Sequence, residues 1–208
     1  MPATWRRIGI SLLSLAPLGW LVWATLANQL GADPAKTIVL LTGHYTFYFL
    51  LLTLAVTPLR KLVKFRLFHF RWLQLHRRML GLFTLFYALI HVAAYLVFIL
   101  GMDFSLFAAE LVKRPYILFT LPAVVLLIVL GITSTQGMMR RLGKNWRRLH
   151  SSIYLIAVLA WLHVFLQVRS SYQDAVWFGV MVAALLGIRV YWKLFSTNRP
   201  TTRQRSAD

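Results

Sequence analysis

Six histidines and no cysteine define the chemistry open to this chain of 208 residues. Without thiols there can be no disulfide, no thiolate metal site, no iron–sulfur cluster and no covalent haem through C-x-x-C-H. The acids are almost as scarce: Asp33, Asp103, Glu110, Asp174 and Asp208. Hydrolysis by paired carboxylates needs two acids held together, and no two of these lie closer in sequence than Asp103 and Glu110. Chemistry must therefore run through His44, His69, His76, His91, His150 and His163, through aromatic side chains, or through a bound cofactor.

Composition tells what kind of element can position those histidines. Hydrophobic residues make up 59% and charged residues only 13%, yet the net charge is +18. A soluble domain carries roughly a quarter of its residues as charges, and a disordered basic chain lacks this apolar content. A membrane protein with its cations outside the bilayer core satisfies both numbers. Six stretches approach the roughly 20 apolar residues a spanning helix needs: about 8–26, 38–57, 79–100, 116–133, 151–168 and 175–195. Breakers separate them, including Pro34, Pro58 with its basic run, Gly101, Pro115 and Gly137. The prediction is an all-α integral membrane protein, a six-transmembrane-helix bundle forming one domain over 1–208. The first stretch follows Arg6 and Arg7, as a cleaved signal would. Its apolar run exceeds the usual ~7–15 residues of such signals, so it is counted as a helix. Pro17 should kink it or be accommodated by neighbours, and Arg189 should snorkel to the nearby interface.

Charge orients the bundle. Nineteen of the 23 basic residues fall in the amino end, the second loop, the fourth loop and the carboxyl end. The other side holds Lys36, Lys113, Arg114 and Arg169, together with Asp33, Asp103, Glu110 and Asp174. The positive-inside rule then makes both termini cytoplasmic, which requires an even number of helices. The same partition explains the charge without nucleic acid, which is excluded as a partner, and predicts contact with anionic membrane lipids. Residues 65–73 mix aromatics and cations as an interfacial helix does, and His69 is read there as a solvated side chain.

Ionisable groups inside a bilayer are functional candidates, and depth decides which can cooperate. His91 and His163 each lie about 12 residues from the inward end of their helices, ~18 Å deep at 1.5 Å per residue. Two imidazoles at matched depth on two helices can clamp a planar metal cofactor, and bis-imidazole haem needs little else from the protein. His44 comes ~9 Å down from the outer face, as a further ligand or as a contact for haem propionates, and Gly43 beside it allows close approach. His76 and His150 share an inner level and could form a second site. On an unbroken helix, at about 100° per residue, His150 and His163 stand ~140° apart, while His76 and His91 stand ~60° apart. A stacked pair of sites therefore suits the third helix better than the fifth.

At this point the residues become recognisable. LGADP at 30–34, Thr42-Gly43, Arg77-Arg78 through Gly81 followed by His91, Arg114-Pro115-Tyr116, Thr133 through Gln136, and LGKNWRRLH ending at His150 with Tyr154 and His163 together resemble the MsrQ (YedZ) family. The resemblance covers essentially the whole chain. It implies a member of the ferric reductase-like transmembrane superfamily: a b-type cytochrome of the bacterial inner membrane, with one or two haems and FMN. Its implied role is to pass electrons from the quinone pool, or from a cytosolic flavin reductase, to the periplasmic molybdoenzyme MsrP, which repairs methionine sulfoxide in proteins. Carried over residue by residue, His91, His150 and His163 match the haem-linked histidines. His44 stands where the family often has Arg, and His76 is a variable feature. No G-x-G-x-x-G run offers a dinucleotide site, so electrons are expected from a separate donor, and the short outward loops leave no room for a methionine sulfoxide pocket.

A His-lined proton or metal-ion transporter and a purely structural anchor are the competing readings. A visible spectrum of the purified chain separates them: the cytochrome reading requires a Soret band that shifts on dithionite reduction, and the other two require none.

Overall fold

The computed structural model describes residues 3–62, 70–168 and 171–196, and these are helical with no strand among them. His69 and the terminal Arg199, Arg203 and Arg205 lie outside the described residues. In chain order the helices are α1 (Ala3–Leu26), α2 (Pro34–Leu62), α3 (Phe70–Ala94), α4 (Phe104–Lys113), α5 (Pro115–Ile132), α6 (Gln136–Leu142), α7 (Lys144–His150), α8 (Ile153–Gln167) and α9 (Gln173–Ser196). A five-residue π-turn, Tyr95–Ile99, continues α3. Five single helical segments are long and apolar enough to cross a membrane, and six if α4 and α5 together count as one bent span.

The bend falls where the backbone requires it. Arg114 precedes Pro115, whose ring disfavours the helical region for its predecessor; Arg114 adopts φ −126°, ψ 87°, and Pro115 opens α5 at a position that needs no N–H donor. Asp103 caps α4 by accepting from the backbone N–H of Ser105 at 2.8 Å. The Ser105 hydroxyl donates to the same oxygen, and these bonds hold the Asp103 carboxyl below its ordinary range.

Two helix pairs form the bundle: α2 packs along α3, and α5 along α8, with α9 closing against α8 and α2. Their shared core joins Leu50 and Leu54 of α2, Ala88 of α3, Leu127 of α5, Ile156 of α8 and Phe178 of α9. Phe47 stacks on Phe178 at 4.2 Å between ring centres. Helix α1 lies at the periphery, held by Leu21 and Ala24 and by the Tyr87 hydroxyl, which donates to Ser14 O at 2.7 Å. Large apolar side chains such as Leu12, Leu13, Trp20, Trp23 and Val190 point outward, the distribution lipid favours. Pro17 lies within α1 without ending it.

Two sequence expectations change. Pro58 is inside α2, which runs on through Arg60 and Lys61. A proline there lacks the N–H that would bond the carbonyl four residues back, and that carbonyl, on Leu54, instead accepts from Arg189 Nη2. Arg189 therefore does not snorkel. It turns inward from α9, donates also to Leu185 O, and lies over the Tyr154 ring at 5.5 Å. A buried carbonyl short of a partner outweighs the route to the interface.

Replacing Arg189 by Gln should lower thermal stability in detergent by about 1.5–3 kcal/mol, the range for a hydrogen bond to a charged group. In a Pro58→Ala background the loss should be smaller, because residue 58 regains an N–H for Leu54 O.

Candidate cofactor site between the helix pairs

His91 on α3 and His163 on α8 meet between the two helix pairs, their ring centres 6.3 Å apart and their planes at 82°. Each ring is fixed by the helix beside it. His91 Nδ1 lies 2.9 Å from Val39 O of α2. His163 Nδ1 lies 3.2 Å from Tyr116 O of α5. A carbonyl can only accept, so both Nδ1 atoms carry the proton and both Nε2 atoms keep a free lone pair.

A threonine supports each contact. The Thr42 hydroxyl donates to Ile38 O at 2.8 Å and Val39 O at 3.0 Å, and lies 3.5 Å from His91 Nδ1. The Thr120 hydroxyl donates to Tyr116 O at 3.0 Å and stands 2.6 Å from His163 Nδ1. The two halves thus use one device: a histidine donates to a carbonyl that also accepts from a threonine of the neighbouring helix. Gly43 completes the His91 side. A Cβ there would stand 3.1 Å from His91 Cε1 and 3.2 Å from Nδ1, so the bare backbone is what admits the ring.

This donor set fits one kind of metal group. With bonds of about 2.0 Å to imidazole nitrogen, two rings on opposite sides of one ion have their centres about 6 Å apart. Among the described residues no group of three or more His, Cys, Asp or Glu could hold a metal ion. Two imidazoles alone leave the other positions to ligands from outside the chain, which a porphyrin supplies.

The remaining histidines lie elsewhere. His44 faces α9, its Nε2 3.5 Å from Asp174 Oδ2 and its ring 5.7 Å from Phe178. His76 is buried on α3. His150 ends α7, stacked on Trp146 at 4.0 Å with its Nε2 3.2 Å from Thr133 Oγ1, and Trp146 Nε1 donates to Thr133 O at 3.0 Å. The angle between His150 and His163 assumed an unbroken helix. Instead Ser151 and Ser152 form a turn, with Ser152 N bonding Leu149 O at 3.0 Å and Tyr154 N bonding Ser151 O at 3.1 Å. Such tighter turns rotate the chain more per residue, so the ~140° offset at about 100° per residue does not apply. Sequence reasoning missed Thr120, Trp146 and the two carbonyls. Threonines in apolar helices, level with a histidine on a neighbour, were the available signal.

The family described as "Ferric reductase like transmembrane component" matches residues 42–161. The chain is 45% identical over 182 residues to a protein-methionine-sulfoxide reductase heme-binding subunit MsrQ of Herminiimonas arsenicoxydans, covering 86% of this chain and 81% of that one. It is 44% identical over 203 residues to the MsrQ heme-binding subunit of Xanthomonas euvesicatoria pv. vesicatoria (strain 85-10), covering 93% and 88%. No solved structure matches significantly.

Gly43→Ala should displace the His91 ring, and Thr120→Val should remove the hydroxyl beside His163. Each should weaken haem binding by about tenfold, the lower end for losing a group that orients a metal ligand, measured by haem titration into the apo chain.

Proposed function

Since the chain belongs to the MsrQ family of haem-binding subunits, within the ferric reductase-like transmembrane components, we propose that it is a membrane b-type cytochrome relaying electrons outward. The observation that carries this reading is the His91–His163 pair, 6.3 Å apart, with each Nδ1 committed to a backbone carbonyl. Bound haem supplies a one-electron iron couple. The chain's residues hold and insulate it. His91 and His163 present Nε2 from opposite helix pairs, Val39 O and Tyr116 O fix the ring orientations, and the surrounding apolar helices keep water away. His91 and His163 would hold a haem between them and would leave it no vacancy for a substrate, which suits relay and not turnover of methionine sulfoxide at this site.

The direction of relay follows from charge. With the basic loops inward, both termini are cytoplasmic in a bacterial inner membrane and His91 and His163 lie toward the outer half. The recipient is the periplasmic MsrP, which repairs methionine sulfoxide. The donor is the quinone pool or a cytosolic flavin reductase. The inward end holds His150, its ring stacked on Trp146 and its Nε2 3.2 Å from Thr133 Oγ1; His76, a variable feature of the family, is not a basis for a second haem. Arg77 and Arg78 lie near the His150 ring, and with the aromatic face of Trp146 they offer cationic and stacking contacts for FMN.

Reconstituted with a flavin reductase or a reduced quinone, the full chain should show reduction of its Soret band and then of added MsrP. His91→Ala and His163→Ala should each lose most haem and at least about tenfold of the transfer rate. Survival of both haem content and MsrP reduction in these variants would falsify the pairing.

A further inference from the structure

Beyond the two histidines, a chain of polar side chains ties together the elements that carry them. Tyr95 lies one turn after His91, at the start of the π-turn, and its hydroxyl donates to Glu110 Oε2 of α4 at 3.3 Å. Arg114 Nε donates to the same Glu110 oxygen, and Arg114 Nη1 donates to the Tyr116 hydroxyl at 3.0 Å. Tyr116 then meets the other histidine twice: its carbonyl accepts from His163 Nδ1, and its ring lies 5.5 Å from the imidazole. The Glu110 side chain is 17% exposed and that of Arg114 32%, so the carboxylate is mostly, and the guanidinium partly, withdrawn from water, where charges act more strongly on their surroundings.

Resting on the cytochrome reading above, we propose that Tyr95, Glu110, Arg114 and Tyr116 form a strap over the outward end of the His91–His163 pair. It positions the His163 imidazole and sets the local charge felt by the cofactor there. The strap spans the bend before Pro115, where the backbone bonds meet at Arg114 itself: its N–H closes α4 on Glu110 O at 2.8 Å and its carbonyl accepts from Ile117 N at 3.0 Å, so the side-chain contacts add a tie from one helix to the other. Arg114 and Glu110 act through Tyr116 and are positioning residues. Because they carry opposite charges, their separate removal has opposite consequences for an electron arriving at His91 and His163. Neutralising Glu110 leaves an unopposed cation, which favours the reduced state. Neutralising Arg114 leaves an unopposed carboxylate, which disfavours it.

The test is a spectroelectrochemical titration of the haem-loaded full chain in nanodiscs, with electron paramagnetic resonance of the oxidised form. Glu110→Gln should raise the midpoint potential, Arg114→Gln should lower it, and Arg114→Lys should stay close to the unaltered chain. Tyr116→Phe, which removes only the hydroxyl, should alter the resonance signal while haem remains bound. Unchanged potentials in both charge variants, or shifts of the same sign, with the Soret band intact, would overturn the strap and leave the cytochrome reading standing. An unaltered chain that binds no haem would overturn the cytochrome reading, and the strap with it.

Discussion

The hydrogen bond from an imidazole Nδ1 to a backbone carbonyl on a neighbouring helix is the interaction on which this bundle's chemistry depends. In lipid no water stands by to satisfy a polar side chain, so a histidine that must keep one nitrogen free needs a protein partner for the other. Val39 O and Tyr116 O provide it. A helix carbonyl has a second lone pair beyond its own helical bond, so each can serve a histidine without breaking the helix. Thr42 and Thr120 also donate to those carbonyls from their own helices, so the second lone pair is shared between a threonine and a histidine. The order at the site is thus backbone order, transmitted to two rings.

The same constraint explains features far from those rings. At Pro58 the helix loses a donor, and Arg189 crosses from α9 to replace it. At the turn between α7 and α8 the Ser151 hydroxyl donates to Arg148 O at 2.5 Å. At the end of α5 Thr133 bonds Val129 O at 2.7 Å and also faces His150. Each of these three sites meets a nearby donor, and one of the donors, Thr133, also faces a histidine. There irregular backbone and candidate chemistry coincide, since both require polar atoms where lipid permits few.

Much of this was legible in the sequence. Apolar stretches located α5, α8 and α9 to within two residues at both ends, because hydrocarbon thickness fixes their length, whereas α3 begins at Phe70, nine residues before the apolar stretch at 79. A count of residues along each apolar stretch singled out His91 and His163, and their rings do stand side by side, although α3 starts at Phe70 and α8 at Ile153, so the two are not equally far from their helix starts. Gly43 was read as a point of close approach, and the His91 ring is what approaches it. Other features were not legible. Arg189 looked free to reach the interface, since sequence does not reveal which carbonyl lacks a donor. The ends of α2 were drawn too short, because a proline near a helix terminus reads as a stop. The separation of α4 from α5 and the π-turn after α3 depend on packing between elements distant in sequence. Thr120 carries no motif; only its carbonyl, shared with His163, marks it.

Each histidine takes its support from within its own half of the molecule, and this bears on how the protein is made. His91 and its carbonyl belong to the consecutive hairpin α2–α3, while His163 and its carbonyl belong to α5 and α8. The α2–α3 half can therefore orient its imidazole before α5 and α8 have left the ribosome. The two meet face to face only when the last helices have inserted. A planar group bound between them joins two finished pieces, so maturation of such a bundle has a natural final step, and a chain lacking that group is already built to receive it.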